Sequence, residues 1–425
     1  MKILLVLRLY SGFESSVHSG KWEPSGVPTI YKLIESLDTG PHEISVILTS
    51  KQSTSISDST FDRELRIKGL NCGFLQLAGE AKFPNWLGRL RWYACELRQT
   101  WKVWRACRRS RPNIIYIDRG NLVCAGILAR FGQIPVVYRI MGISSDLRDS
   151  VAGYRPRHVI SRWLLRAPFS AAICTQDGTG GEIWLDRLLS SRVPKLLYLN
   201  GVDLPDDPVS FECLPADIPQ GSTVVLFTGR LEAMKGCSEF VEAFLRARQE
   251  VGEGLHAVIV GTGSMLESLR ERVAEAGAME IISFLGVLPH SQVLDVCARS
   301  DIYVSLNRMA NLSNATLEAL RAGCCVVMPS AQPEIFADLW TEEHFPPDMV
   351  VRIPRVDDID ALADRIVYLH RNPDERDRCA AASRQVSQEL IPTWSQRIAK
   401  EIRVLQDLAA SKPLTQEEVQ QTHGW

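Results

Sequence analysis

The stretch VVLFTGRLEAMKG (224–236) reads as a strand that runs into a glycine-flanked turn, with a helix beginning near Ser238. The β-branched run ends at Gly229, and Arg230 and Lys235 project from the turn that follows. Two cations beside a helix N-terminus suit a diphosphate, because fixed charges and free N–H groups neutralise an anion as it develops. Taken alone, such a pair reads as two surface cations on a loop, so its meaning depends on what surrounds it.

Outward from this stretch the same plan repeats. Expected strands in the second half are VVLFTGR (224–230), HAVIVG (256–261), IISFLG (281–286), IYVSL (302–306), CCVVMP (324–329) and MVVRIP (349–354). Helices are expected from near Ser238, Met265, Ser291, Asn314 and Asp358. The first half alternates likewise, with strands KILLVLR (2–8), EISVILTS (43–50), NIIYID (113–118), IPVVYRI (134–140), AAICT (171–175) and PKLLYLN (194–200). Helical patterns run through VPTIYKLIESL (27–37) and from Trp86 to Arg108. This alternation predicts an α/β protein whose parallel sheets carry helices on both faces. A chain of 425 residues is too long for one ordinary core and comfortable for two. The Pro-, Asp- and Ser-rich segment 201–223 reads as a linker. We therefore expect domains at 1–203 and 204–389, and a flexible tail at 411–425. Ligand is expected at strand C-termini, in the cleft between domains.

No uncharged apolar run is long enough to span a bilayer. The start MKILLVLRLYSG has the charge of a weak leader, but Arg8 interrupts it and it reads better as a buried first strand. Eleven cysteines are scattered without a CxxC pair, which suits small buried thiols in a reducing cytoplasm. No HExxH or clustered ligand set suggests a metal. The formal charge of −2 hides an asymmetry. Residues 1–200 carry 28 Lys and Arg against 16 Asp and Glu, whereas the remainder carries 20 against 34. Halves so different in charge suggest different partners.

Two further segments bear chemistry. In NLSNATLEALRAGCCVV (311–327), Asn311, Ser313 and Asn314 can cap a helix, and Glu318 falls one turn in, where a carboxylate can accept from two vicinal ribose hydroxyls. In VIVGTGSMLESLRERV (258–273), Gly261 and Gly263 form a GxG turn between strand and helix. Leu266 stands where a dinucleotide fingerprint needs its third glycine, so these glycines serve a tight turn and close backbone approach.

In this order and spacing, GRLEAMKG, VIVGTGSMLESL, ISFLGVLPHSQVLDVCARSDIYVS and SNATLEALRAGCCVV resemble the retaining family 4 glycosyltransferases of the GT-B fold, over about residues 197–330. NGVD (200–203) closes the first half as in that family, and PSGVPTIYKL (24–33) supplies a Gly-containing turn opening the first helix. The resemblance implies two Rossmann-like domains facing across a cleft, the last helix (390–410) crossing back onto the first. It implies a nucleotide-sugar donor, UDP- or GDP-linked, and no other cofactor. Arg230 and Lys235 would hold the diphosphate as electrostatic catalysts and Glu318 the ribose. Gly229, Gly261, Gly263, Ser313, Asn314 and Ala315 would line the donor, Val287 would lie beside the base, and Gly26 would approach the phosphates. Two departures stand out. Ala310 occupies a position where relatives often carry glutamate, leaving Asn311 or Asn314 to supply a polar contact. Met141-Gly142 replaces a His-Gly pair, which would either lose a sugar-hydroxyl contact or move it to Arg139 or Asp146.

Residues 82–111 hold nine Lys or Arg and a single acid, Glu96. Leu87, Leu90, Ala94, Leu97, Trp101 and Trp104 recur at helical spacing, so the stripe is expected in the core with Trp92 pointing away, a membrane role being the equal alternative. With YRPRHVISRWLLRAPF (154–169), this basic, Trp-bearing half suits an anionic membrane surface on the cytoplasmic side better than nucleic acid, for which no binding module is present. The acceptor would be a saccharide or lipid-linked saccharide. A hexosyltransferase of polysaccharide biosynthesis is the leading expectation. A non-catalytic nucleotide- or glycan-binding partner and a sugar-nucleotide epimerase are the alternatives.

Overall fold

The computed structural model describes residues 1–50, 61–80, 83–88, 90–203, 214, 218–412 and 414. Most of the expected linker (204–213 and 215–217), nearly all the expected tail (413 and 415–425), and Lys82 and Arg89 lie outside the described residues.

The chain divides into two units, one of residues 1–175, 181–198 and 395–425, the other of 176–180 and 199–394. In the first, the strands are β1 (Lys2–Arg8), β2 (Glu43–Thr49), β3 (Arg63–Arg66), β4 (Gly73–Gln76), β5 (Ile114–Asp118), β6 (Val136–Ile140), β7 (Ala171–Thr175) and β8 (Lys195–Tyr198). Their order is β3-β4-β2-β1-β5-β6-β7-β8, with only β3 antiparallel to its neighbour. Strands β5, β6 and β7 are buried at every position, as expected of a parallel sheet covered on both faces.

The second unit holds β9 (Thr223–Thr228), β10 (Leu255–Val260), β11 (Ile282–Gly286), β12 (Ile302–Val304), β13 (Cys325–Pro329) and β14 (Val350–Ile353), all parallel in the order β11-β10-β9-β12-β13-β14. Val225, Phe227, Phe240, Phe244, Ile259 and Val327 join the core on one face; Leu226, Val258, Leu317, Leu320 and Val326 join that on the other. Each such side chain contributes about 1.5–3 kcal/mol on burial.

The short strands β3 and β4 and the helix Ser11–Ser19 were not expected, so PSGVPTIYKL opens the second helix, Pro28–Thr39, and not the first. The ten cysteines among the described residues are all buried. Among those residues no helix is long and apolar enough to cross a membrane.

One expectation is inverted. In the helix Leu90–Ser110 the stripe read as core faces solvent: Leu90, Leu97, Trp101 and Trp104 are exposed. The buried face is Cys95, Glu96, Gln99, Thr100, Val103 and Cys107. Its polar members find partners inside the unit. Glu96 pairs with Arg8, and Gln99 Nε2 donates to Ser50 O at 2.8 Å and Ala78 O at 3.0 Å. Trp92 is half-buried, edge-on to Tyr93.

Arg139 also departs from expectation. It is wholly buried, donates to Ile173 O at 3.2 Å and Thr175 Oγ1 at 2.7 Å, and lies 3.5 Å from the Glu401 carboxylate. Glu401 sits on the last helix, Trp394–Ala409, pairs with Arg397 at 2.7 Å and accepts from Tyr116 Oη at 2.6 Å. Burial works against its charge, yet Arg397 and Arg139 outweigh it and hold the carboxyl below its ordinary value. Arg139 is thus part of the ion cluster that fixes the last helix, not a sugar-contacting group.

Candidate functional site

The strand order of the second unit sets where a ligand belongs. The chain builds β9, β10 and β11 outward, then returns to lay β12 against the other side of β9. The loops after β9 and β12 therefore leave in opposite directions, and the crevice beyond those two strands is the switch point where α/β sheets bind ligands.

The loop after β9 carries Arg230 and Lys235. Gly229 N donates to Val260 O at 3.0 Å, and Leu231 N to Thr262 O at 2.9 Å, so this loop is stitched to the GxG turn after β10. Glu232 accepts from Ser264 N at 3.1 Å and Ser264 Oγ at 2.6 Å across the same seam. The glycines are sterically required. A Cβ on Gly261 would stand 1.9 Å from Gly229 O, and one on Gly263 would stand 2.3 Å from Leu231 O. Arg230 is exposed; Lys235 is half-buried at the end of a short turn closed by Gly236 at φ 69°. Burial lowers the Lys235 pKa and Arg230 lowers it further, while Asp177 acts in the opposite direction.

The loop after β12 builds the other wall. Asn311 is wholly buried. Its Oδ1 accepts from Ser305 Oγ and Asn307 N, its Nδ2 donates to Asp338 Oδ2 at 2.7 Å, and its N donates to Asp338 Oδ1 at 2.8 Å. Asn311 is therefore committed to the loop and cannot supply the contact that Ala310, itself buried, lacks. Ser313 caps the helix Asn314–Ala322 by accepting from Thr316 N at 3.3 Å, leaving the other N–H groups of that first turn for a ligand. Asn314 Oδ1 accepts from Asn200 Nδ2 at 2.6 Å, and Ala315 follows it, half-buried. Glu318 is buried on that helix with Oε1 2.9 Å from His290 Nε2, at the start of the helix His290–Ala298. Val287, just past β11, is exposed.

The structure brings Arg230, Lys235, Gly229, Gly261 and Gly263 into one stitched pair of loops, and Ser313, Asn314, Ala315 and Glu318 onto one helix start. Apart from Val287, the remaining expected residues belong to the first unit. Gly26, at φ 91°, packs on the Tyr10 ring; Met141 Sδ receives Thr29 Oγ1 at 3.7 Å; Gly142 is buried at φ 116°; Asp146 is exposed in the first turn of the helix Ser145–Ala152.

Three groups were not found from sequence. His290 opens the helix expected from near Ser291, where no side chain was given a role. Asp177, in the crossing segment TQDGTG (175–180), is a carboxylate beside Lys235. Asp338, buried at φ 56°, has its N–H on Gly178 O at 2.7 Å and its pKa pushed up to about 6, mainly by burial.

The family match falls on the same unit. Residues 215–386 match the family "Glycosyl transferases group 1". The chain is 26% identical over 226 residues to a glycogen synthase of Mycobacterium tuberculosis, 52% of each chain. It is 29% identical over 209 residues to 2-deoxystreptamine glucosyltransferase of Streptomyces kanamyceticus, 44% of this chain and 53% of that one. The matched stretch thus spans about half the length of these curated relatives. Among solved structures, sucrose-phosphate synthase from Thermosynechococcus elongatus superposes with a TM-score of 0.68 at 15% identity, covering 96% of this chain and 100% of that one. HepE of Anabaena, in complex with UDP, gives 0.64 at 14% identity over 96% and 100%. These likenesses establish the fold as GT-B, two Rossmann-like units with parallel sheets. The family match falls on the unit that carries the switch-point loops, so residues 215–386 are similar to the group 1 glycosyl transferases.

Proposed function

We propose that this protein transfers a hexose-type sugar from a nucleotide-sugar donor to a saccharide or lipid-linked saccharide, with retention of configuration. The observation that carries the reading is the pair of loops at the β9/β12 switch point, which offers two cations, a helix N-terminus and a buried carboxylate at one crevice. Arg230 and Lys235 take the diphosphate and stabilise charge developing on it as the glycosidic bond breaks. Free N–H groups near Asn314 and Ala315 add to that stabilisation, and Glu318 accepts from the ribose hydroxyls. HepE, with its UDP-glucose complex, and the curated glucosyltransferase favour a uridine diphosphate donor of glucose type. Melting the protein against UDP, GDP and their glucose conjugates tests this: a shift with UDP-glucose that Lys235→Ala abolishes supports it, and no shift with any nucleotide sinks it.

The first unit, in this reading, works at an anionic lipid surface in polysaccharide synthesis. The outward stripe Leu90, Leu97, Trp101 and Trp104 is the support. Arg105 lies over Trp101 at 5.5 Å and Arg108 over Trp104 at 4.6 Å; on the helix Pro156–Leu165, exposed Trp163 carries Arg130 at 4.4 Å. Exposed tryptophan flanked by arginine is the combination that seats a helix in the headgroup layer.

A further inference from the structure

In the first unit, the N-terminal turns of the helix Leu90–Ser110 and the helices Ser145–Ala152 and Pro156–Leu165 border a groove of about 960 Å³. Leu90, Trp92, Tyr93 and Ile160 give it an apolar wall. Arg155 and Arg157 face the same groove, and so do the carboxylates Asp146 and Asp149. A second cavity of about 280 Å³ shares Trp92, Tyr93 and Ile160 with it and is lined also by Arg119 and Tyr138.

Tyr138 is the independent sign of a ligand. Its ring is wholly buried and stacked on Phe169 at 4.9 Å, while its hydroxyl has no hydrogen-bond partner among the described residues. A buried hydroxyl is costly to leave unpaired, and this one belongs to a residue lining a cavity with an arginine beside it. The groove thus combines three chemistries: an apolar wall, cationic donors at two levels, and carboxylates able to accept from hydroxyls.

We propose that this groove binds the acceptor as a saccharide joined through phosphate to a long apolar chain of polyisoprenyl type. The chain lies along Leu90, Trp92, Tyr93 and Ile160. Arg155 and Arg157 take the phosphate charge, and the Tyr138 hydroxyl donates to an oxygen of the headgroup in the inner cavity. Asp146 and Asp149 accept from the sugar. Leu90 belongs both to this wall and to the exposed stripe of its helix, so a chain leaving a bilayer would meet the groove at the lipid-facing edge. Calling this ligand the acceptor rests on the glycosyl-transfer reading; the binding itself does not.

The test is titration of the full chain with farnesyl phosphate, farnesol and inorganic phosphate, followed by tryptophan fluorescence and calorimetry. Farnesyl phosphate is expected to bind at least about tenfold more tightly than either half alone, because apolar wall and cations act together. Trp92→Ala and the conservative Tyr138→Phe should each weaken it by about tenfold. Both variants should keep the thermal shift given by UDP, which shows that they are folded and separates this site from the donor site. Equal binding of inorganic phosphate, or unchanged binding in both variants, overturns the proposal. A wild-type protein that binds farnesyl phosphate but gives no thermal shift with any nucleotide would instead sink the donor reading.

Discussion

His290 Nε2 lies 2.9 Å from Glu318 Oε1, so the carboxylate assigned to the donor ribose is already held by a side chain from the neighbouring helix. The two ends differ in exposure: the Glu318 side chain is 11% accessible and that of His290 is 63%. The histidine therefore reaches in from solvent to fix the direction of a buried acceptor. His290→Ala should raise the Michaelis constant for the nucleotide sugar about three- to tenfold with little change in kcat, since it removes orientation of a binding group and not transition-state charge. Steady-state kinetics at varied donor concentration reads this split. A fall in kcat with unchanged KM would assign His290 to the chemical step instead.

Arg230 and Lys235 should act on the chemical step as well as on binding. If they stabilise the departing diphosphate, Arg230→Ala and Lys235→Ala each lower kcat by about 10²–10³. Asp177→Asn should produce a smaller loss, because Asp177 faces Lys235 and partly offsets the burial that depresses its pKa. Single-turnover transfer from a radiolabelled donor measures these effects without product release. Near-wild-type rates in both cationic variants would remove the electrostatic role.

Much of this site was legible in the order of residues because parallel strands and glycine turns leave local marks. Gly229 and Gly236 bound the loop that carries Arg230 and Lys235, and strand-turn-helix periods fixed the succession of β9 to β14. What failed was information that is not local. In the helix Leu90–Ser110 both faces repeat at helical spacing, and hydrophobicity chose the wrong one. The true inner face is polar because Arg8 meets Glu96, and because the backbone at Ser50 and Ala78 meets Gln99. Arg139 looked available for sugar since its partner, Glu401, lies on the last helix, far along the chain.

That partnership predicts a stability effect. Glu401→Gln leaves Arg139 and Arg397 charged and buried against a neutral amide. Breaking one member of such a cluster costs about 3–5 kcal/mol, so the urea midpoint of the first unit should fall sharply while UDP still binds what remains folded. An unchanged midpoint would mean that the last helix is not fastened through this carboxylate.

Asp338 gives a pH dependence with a definite sign. Its folded pKa of about 6 lies above the ordinary 3.8, with burial as the main cause. Between these values the folded state holds more proton than the unfolded state, so the contribution of this group to stability is greatest below pH 4. It declines as pH rises to 6, by at most about 3 kcal/mol. Asp338→Asn removes the titrating group while keeping a residue type that tolerates the left-handed backbone at φ 56°. It also forfeits one of the two acceptors used by Asn311, at a fixed cost independent of pH. The variant's melting temperature should therefore change less than the wild type's between pH 4 and pH 6, whichever protein is the more stable at neutral pH. Parallel profiles for the two proteins would show that Asp338 keeps its charge throughout, with Arg352 close enough to hold it.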